Sequence, residues 1–196
     1  MWNYKTPGIP DEEFERTEKV PITKEEVRTI QISKARLKPG QTVYDIGCGS
    51  GSISVEAAIQ VESSGKILAI DYDQNAVDLT KKNLTKFNLS NVSVILGNAK
   101  EKILELEEAD AIFIGGTGGD TKEIVELSEK KLKSGGRIVI GIILIETLYS
   151  VLQVLEKLQF NTVDITQVTI SKSRKTTTGT MMLARNPVTI ISATKA

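Results

Sequence analysis

The chain has no histidine and one cysteine, Cys48. Imidazole is the commonest general base and metal ligand, so Ser-His-Asp hydrolysis and histidine-based metal hydrolysis are excluded. A lone cysteine rules out an intrachain disulfide and any multi-cysteine zinc site. As a nucleophile Cys48 would have no histidine to activate it, and it reads as a small filler of the loop that contains it. No long apolar run and no signal-peptide pattern occurs, so a cytoplasmic protein without membrane contact is expected. Neither charge sign is in excess: 25 acids balance 25 bases, and no global field favours nucleic acid or a membrane surface. Chemistry must therefore work through carboxylates, lysine, tyrosine, backbone dipoles or a reactive cofactor. There is no internal repeat, linker or low-complexity tract. The 196 residues are read as one domain, 1–196, large enough for a sheet covered on both faces. Residues 1–20, polar and containing Pro7, Gly8 and Pro10, form an arm or lid.

What is present begins with Asp45-Ile46-Gly47-Cys48-Gly49-Ser50-Gly51, directly after an apolar strand-like run. Asp71 ends a second such run, Lys66-Ile67-Leu68-Ala69-Ile70. This order describes a nucleotide pocket. Glycines admit positive φ and let a backbone approach a ligand closely. The loop opens a helix, whose N-terminal N–H groups favour a negative group. An acid at the tip of the next strand accepts hydrogen bonds from ribose hydroxyls. The glycines run G-x-G-x-G, whereas a dinucleotide fingerprint is G-x-G-x-x-G; Ser52 stands at its sixth position. The string resembles the first motif of S-adenosylmethionine-dependent methyltransferases, whose cofactor has no pyrophosphate.

From residue 42 strand and helix patterns alternate, with strands at 42–46, 66–71, 92–96, 109–114 and 136–141. Helices are expected at about 52–62, 74–87, 99–106, 119–132 and 145–158. Short continuous apolar strands suit a buried parallel sheet, and repeated βα units make it doubly wound. An earlier helix is expected after Thr23, read as an N-cap with Glu26 completing a capping box. The end breaks the rhythm. Patterns at 163–170 and 180–191 have no helix between them, which reads as an antiparallel hairpin with a long basic tip and a break at Asn186-Pro187.

Further strings carry a more specific resemblance. They are Gly8-Ile9-Pro10-Asp11-Glu12, Pro21-Ile22-Thr23-Lys24-Glu25-Glu26-Val27-Arg28, Asp110-Ala111-Ile112-Phe113-Ile114-Gly115-Gly116, Leu132-Lys133-Ser134-Gly135-Gly136-Arg137 and Asn186-Pro187-Val188. In this order essentially the whole chain resembles the decarboxylating cobalt-precorrin-6B C(15)-methyltransferases of anaerobic cobalamin biosynthesis. The resemblance implies an α/β, Rossmann-like class I methyltransferase fold. Its sheet would have seven mostly parallel strands and an antiparallel C-terminal hairpin, the seventh strand inserting beside the fifth. It also implies S-adenosyl-L-methionine as methyl donor, a cobalt-containing tetrapyrrole as acceptor, no protein metal site and a homotetramer. By the same resemblance Gly47, Cys48, Gly49, Ser50 and Gly51 pass under methionine and ribose. Asp71 takes the ribose hydroxyls, Asn98 and Ala99 meet adenine, and Thr23 lies near the methionine end.

Other residues carry weaker signals. Gly115-Gly116-Thr117-Gly118-Gly119 follows the fourth strand, where methyl acceptors sit in such enzymes. Adenine-N6 and glutamine methyltransferases carry an Asn/Asp-Pro-Pro-aromatic string there, and it is absent. Lys172, Arg174 and Lys175 form a basic run that would grip carboxylates or simply be solvated, and Glu146 follows the fifth strand. The alternatives are an RNA or protein methyltransferase on the same fold, which needs a basic face or recognition domain, and a binding module without catalysis.

Overall fold

The central apolar strands stack side by side because each is buried on both faces, and successive residues feed two different cores. In the computed structural model, which describes residues 2–196, β1 (Thr42–Ile46) lies between β2 (Lys66–Asp71) and β4 (Ala109–Ile114). Outside them run β3 (Val92–Leu96) and β5 (Leu132–Ile142), all five parallel. The last strand, β9 (Val188–Thr194), inserts antiparallel between β5 and β6 (Asn161–Val168), giving the order β3-β2-β1-β4-β5-β9-β6. Val43, Ile67, Ala111 and Val139 face a core shared with α1 (Glu25–Ala35) and α2 (Ser52–Val61). Their neighbours Tyr44, Leu68, Ile112 and Ile138 face the opposite core. That core is shared with α4 (Ala99–Glu105), α5 (Thr121–Lys131) and α6 (Ile145–Lys157). The two-residue strand period separates the two sets. The helix α3 (Gln74–Lys86) packs beside α2.

Three local expectations change. First, Thr23 is not a side-chain cap. The N-cap of α1 is Lys24, and the Glu25 N–H instead donates to Asp11 Oδ1 at 3.0 Å. A carboxylate brought in by the N-terminal segment replaces the local cap, and Glu26 turns to Lys172 (2.7 Å) and Arg185 (3.2 Å). Second, the fifth strand begins at Leu132, because buried Leu132 is registered with Ala109 across a bulge.

Third, the C-terminal hairpin is split. β7 (Ser171–Lys175) and β8 (Thr180–Ala184) pair only with each other as a ribbon, separated from β6 and β9 by residues 169–170 and 185–187. Pro187 has no N–H for a ladder, so the break falls there. Lys172, Arg174 and Lys175 therefore lie in a strand, and residues 176–179 form the tip. Lys172 is bound to α1 through Glu25 (2.9 Å) and Glu26.

Residues 2–22 contain a single 3-10 turn, Asp11–Glu13, and cross the sheet's α2–α3 side. Ile9 and Phe14 are buried there with Val55 and Leu84. No helix among the described residues is long and apolar enough to cross a membrane.

Candidate active site

The parallel register brings the ends of β1, β2 and β4 to one edge. Ile46 pairs with both Ile70 and Ile114, so the glycine loop, Asp71 and Gly115 emerge together. The loop turns sharply. The N–H groups of Gly47 and Cys48 both donate to Ile70 O, at 2.9 and 3.1 Å. Gly47 has φ +71°, and a Cβ there would collide with the carbonyl oxygen of Gly116. A Cβ on Gly49, at φ +55°, would stand 3.0 Å from the carbonyl oxygen of Pro21. One glycine thus admits the β4 loop and another admits the N-terminal segment.

Two residues of α3 hold the loop from behind. Thr80 Oγ1 donates to Gly49 O (2.9 Å), and Asn83 Nδ2 donates to Ser50 O (2.8 Å). Asn83 also bonds both backbone groups of Glu15, at 2.7 and 3.1 Å. In front, the Gly49 N–H donates to Asp71 Oδ2 (2.9 Å), while the Asp73 N–H donates to Asp71 Oδ1 (3.0 Å). Asp45 lies beneath the loop and accepts the Ser54 hydroxyl at 2.5 Å. Burial pushes its carboxyl up to about 6, and the Asp71 carboxylate adds to the rise despite the Ser54 bond. Burial, reinforced by Asp45, likewise pushes the Cys48 thiol up; its Sγ sits 3.5 Å from Thr80 Oγ1, as a filler would.

A cavity of about 250 Å³ opens at this edge. Of the expected cofactor contacts, Gly47, Asp71, Asn98 and Ala99 line it, with Tyr72, Gly97 and, from the loop after the fourth strand, Gly116, Thr117 and Gly118. Cys48, Gly49, Ser50 and Gly51 are buried and do not line it. Thr23 does not line it either; its carbonyl oxygen accepts from Arg28 Nη1. Asn98 Oδ1 caps α4 by accepting the Lys100 N–H (2.9 Å), which leaves its NH₂ free for other partners. Glu146 is exposed in the first turn of α6.

The N-terminal segment is fastened by a buried ionic node that sequence reasoning missed. Arg28 is fully buried, with Nε donating to Glu56 Oε1 (2.6 Å) and Nη1 to Asp11 Oδ1 (3.3 Å). Its Nη2 donates to Ile9 O, and the Gly8 and Ile9 N–H groups donate to the Glu56 carboxylate at 3.0 Å each. The guanidinium lies 4.7 Å from the centre of the Phe14 ring. Every charge has a counter-charge and hydrogen bonds, the condition under which burial is tolerated. Asp11 and Arg28 fall within the family-like strings, but Glu56 and Asn83 carried no signal beyond being polar on otherwise apolar helix faces.

A model of the precorrin methyltransferase domain matches residues 12–195. The chain belongs to the precorrin methyltransferase family. It is 48% identical, over 99% of its length and 98% of the relative's, to a probable cobalt-precorrin-6B C(15)-methyltransferase (decarboxylating) of Saccharolobus solfataricus. Among solved structures it resembles a precorrin 8W decarboxylase of Methanobacterium thermoautotrophicum at TM-score 0.88 and 36% identity, covering 94% of this chain and 98% of that one. A precorrin-6y C5,15-methyltransferase of Geobacter metallireducens matches at TM-score 0.89 and 35% identity, covering 99% and 100%. The expected fold, a Rossmann-like class I methyltransferase with a mostly parallel seven-stranded sheet, is the observed one.

Proposed function

We propose that this chain catalyses S-adenosylmethionine-dependent methylation of C(15) of cobalt-precorrin-6B, with decarboxylation of the ring C acetate side chain. The observation that carries the reading is the cavity at the shared end of β1, β2 and β4, walled by Gly47, Asp71, Asn98 and Ala99. These residues fit the cofactor. Each Asp71 oxygen accepts one N–H and keeps capacity for a ribose hydroxyl. The Asn98 NH₂ and the Ala99 N–H, which opens α4 without an intrahelical partner, suit a purine edge. Ser50 Oγ is buried without a partner among the described residues and does not line the cavity; the resemblance alone assigns it to the methionine end. Thr23 stands two residues from Pro21, which abuts Gly49; its place near the methionine end rests on the resemblance, since the first N–H of α1 is taken by Asp11.

When bound, S-adenosylmethionine supplies an electrophilic methyl group on a sulfonium. The chain's own part is alignment and exclusion of water. The glycine loop, held rigid by Thr80 and Asn83, fixes the donor; the 115–119 loop borders the acceptor side. No strong protein base is demanded, in keeping with a chain without histidine. The cobalt belongs to the substrate.

The test is incubation with S-adenosylmethionine and cobalt-precorrin-6B, read by mass spectrometry. A product that gains one methyl and loses carbon dioxide is expected; unchanged substrate, or methylated RNA or protein instead, overturns the reading. In calorimetry Asp71→Ala should weaken cofactor binding by about 1–3 kcal/mol. Unchanged affinity removes Asp71 from the site.

We also propose assembly into a homotetramer. The edge strand β6 exposes Val163 and Ile165, and the ribbon exposes Met181 and Met182. Unpaired apolar edges of this kind are ordinarily covered. Light scattering that finds a monomer at micromolar concentration rules it out.

A further inference from the structure

Beside the cavity lies an apolar surface for which the cofactor has no use. The chain leaves β5 at Ile142, and the next residues, Ile143, Leu144 and Ile145, are 70%, 59% and 80% exposed. Tyr149, one turn into α6, is 65% exposed. Isolated exposed apolar side chains are ordinary, but large ones gathered within two helical turns form a patch. The rest of α6 is conventional, with Val151, Val154 and Leu155 in the core. The anomaly is therefore confined to the shelf where β5 meets α6.

Sheet register places that shelf. Ile140 pairs with Ile114, so the chain beyond Ile142 runs alongside the 115–119 loop, whose Gly116, Thr117 and Gly118 line the cavity. Adjacent strands are about 4.8 Å apart, so the shelf adjoins the cavity across that loop. On its other side Ile142 pairs with Thr189, at the foot of the ribbon. Near that foot Lys172 and Arg185 are spent on α1, whereas Arg174 and Lys175, farther up the ribbon beside its tip, are exposed and in no ion pair among the described residues. The apolar shelf thus adjoins the cavity loop on one side and, on the other, the foot of the ribbon whose outer half carries two unengaged cations.

We propose that this shelf seats the face of the methyl acceptor, a flat ring system carrying carboxylate arms. The assignment rests on the reaction proposed above. Continuity with the cavity argues for the acceptor as occupant. The two cations match its carboxylates on a chain whose net charge is zero. The apolar side chains provide area for a ring face, and the cations provide orientation.

The test uses Ile143→Asn/Ile145→Asn, a double change at exposed positions that leaves the core intact. Steady-state kinetics with cobalt-precorrin-6B are paired with absorbance titration of coproporphyrin, a tetrapyrrole carboxylate that needs no turnover. The KM for cobalt-precorrin-6B and the Kd for coproporphyrin should both rise about tenfold or more, as expected when two aliphatic side chains no longer cover a ligand. S-adenosylmethionine affinity and molar mass should stay as in the parent. Arg174→Ala/Lys175→Ala should weaken coproporphyrin binding more at low salt than at high salt.

Unchanged KM and Kd in the double variant overturn the proposal. A variant that instead dissociates into smaller species makes the shelf a contact between copies of this chain, which also overturns it. If the parent binds coproporphyrin in a shelf-dependent way yet leaves cobalt-precorrin-6B unmethylated, the seat stands and the assigned reaction falls.

Discussion

Residues 47–51 and 115–119 are both glycine-rich loops leaving neighbouring parallel strands at the same edge, yet their glycines serve opposite ends. In the first, glycine removes volume: a Cβ on Gly47 strikes the Gly116 carbonyl, and one on Gly49 presses on Pro21. In the second, a Cβ on Gly116, Gly118 or Gly119 would meet nothing within 4 Å. Thr80, Asn83 and Asp71 tie the first loop to two elements, whereas the second is tied at its foot by the Gly115 N–H to Ile46 O, at 2.9 Å. Two glycine-rich strings, Gly-Cys-Gly-Ser-Gly and Gly-Gly-Thr-Gly-Gly, thus yield a cradle where partners crowd the backbone and an open strap where they do not.

The largest expected effect breaks the cradle from a distance. Arg28→Met leaves Glu56 buried without a counter-charge and Asp11 with Lys24 alone at 3.6 Å, which should cost about 3–5 kcal/mol in urea unfolding. A cost below about 1 kcal/mol, the range of exposed pairs, means that the node does not hold the N-terminal segment against Gly49.

Gly47→Ala should cost about 2–4 kcal/mol, from backbone collision together with a strained positive φ. Retained stability shows that the β4 loop moves aside and that the two loops differ less than their packing indicates.

Asp45 adds a pH dependence to the cradle. Its folded value of about 6 lies above the ordinary 3.8. Between those values the folded state holds a proton that the unfolded chain has released. The associated stability is present at lower pH and is lost as pH rises through about 6. Against an Asp45→Asn variant the loss should total about 3 kcal/mol, at 1.4 kcal/mol per unit. A stability difference between the two that is flat with pH overturns the assignment.

The smallest effect sharpens the contrast. Gly116→Ala should stabilise the chain without cofactor by about 0.4–1 kcal/mol through the unfolded state, read by urea unfolding. A destabilisation like that at Gly47 shows the strap to be as crowded as the cradle.

Much of this was legible before the fold was known. The five parallel strands stood out because each is a continuous apolar run between helical patterns, and the order of glycine loop and Asp71 located the cavity. Thr23 misled because a capping box is a local rule, and Asp11, remote in sequence, took over its bond to α1. The basic run misled similarly. As a string it reads as a tip, but pairing of β7 with β8 makes it a strand and delivers Lys172 to Glu25 and Glu26. Glu26 records the consequence: burial works against its ionised form, yet Lys172 and Arg185 hold its carboxyl below the usual range.

The succession of strands and helices along the chain, the position of the glycine loop and the family resemblance are properties of the sequence itself, since hydrophobic period, glycine spacing and motif strings are local patterns along one chain. Which glycine must remain glycine, which acid caps α1, which lysine is free and where the apolar shelf lies were settled only by tertiary structure. These depend on partners outside the local segment, and the close approach of two backbones leaves no trace in either segment alone.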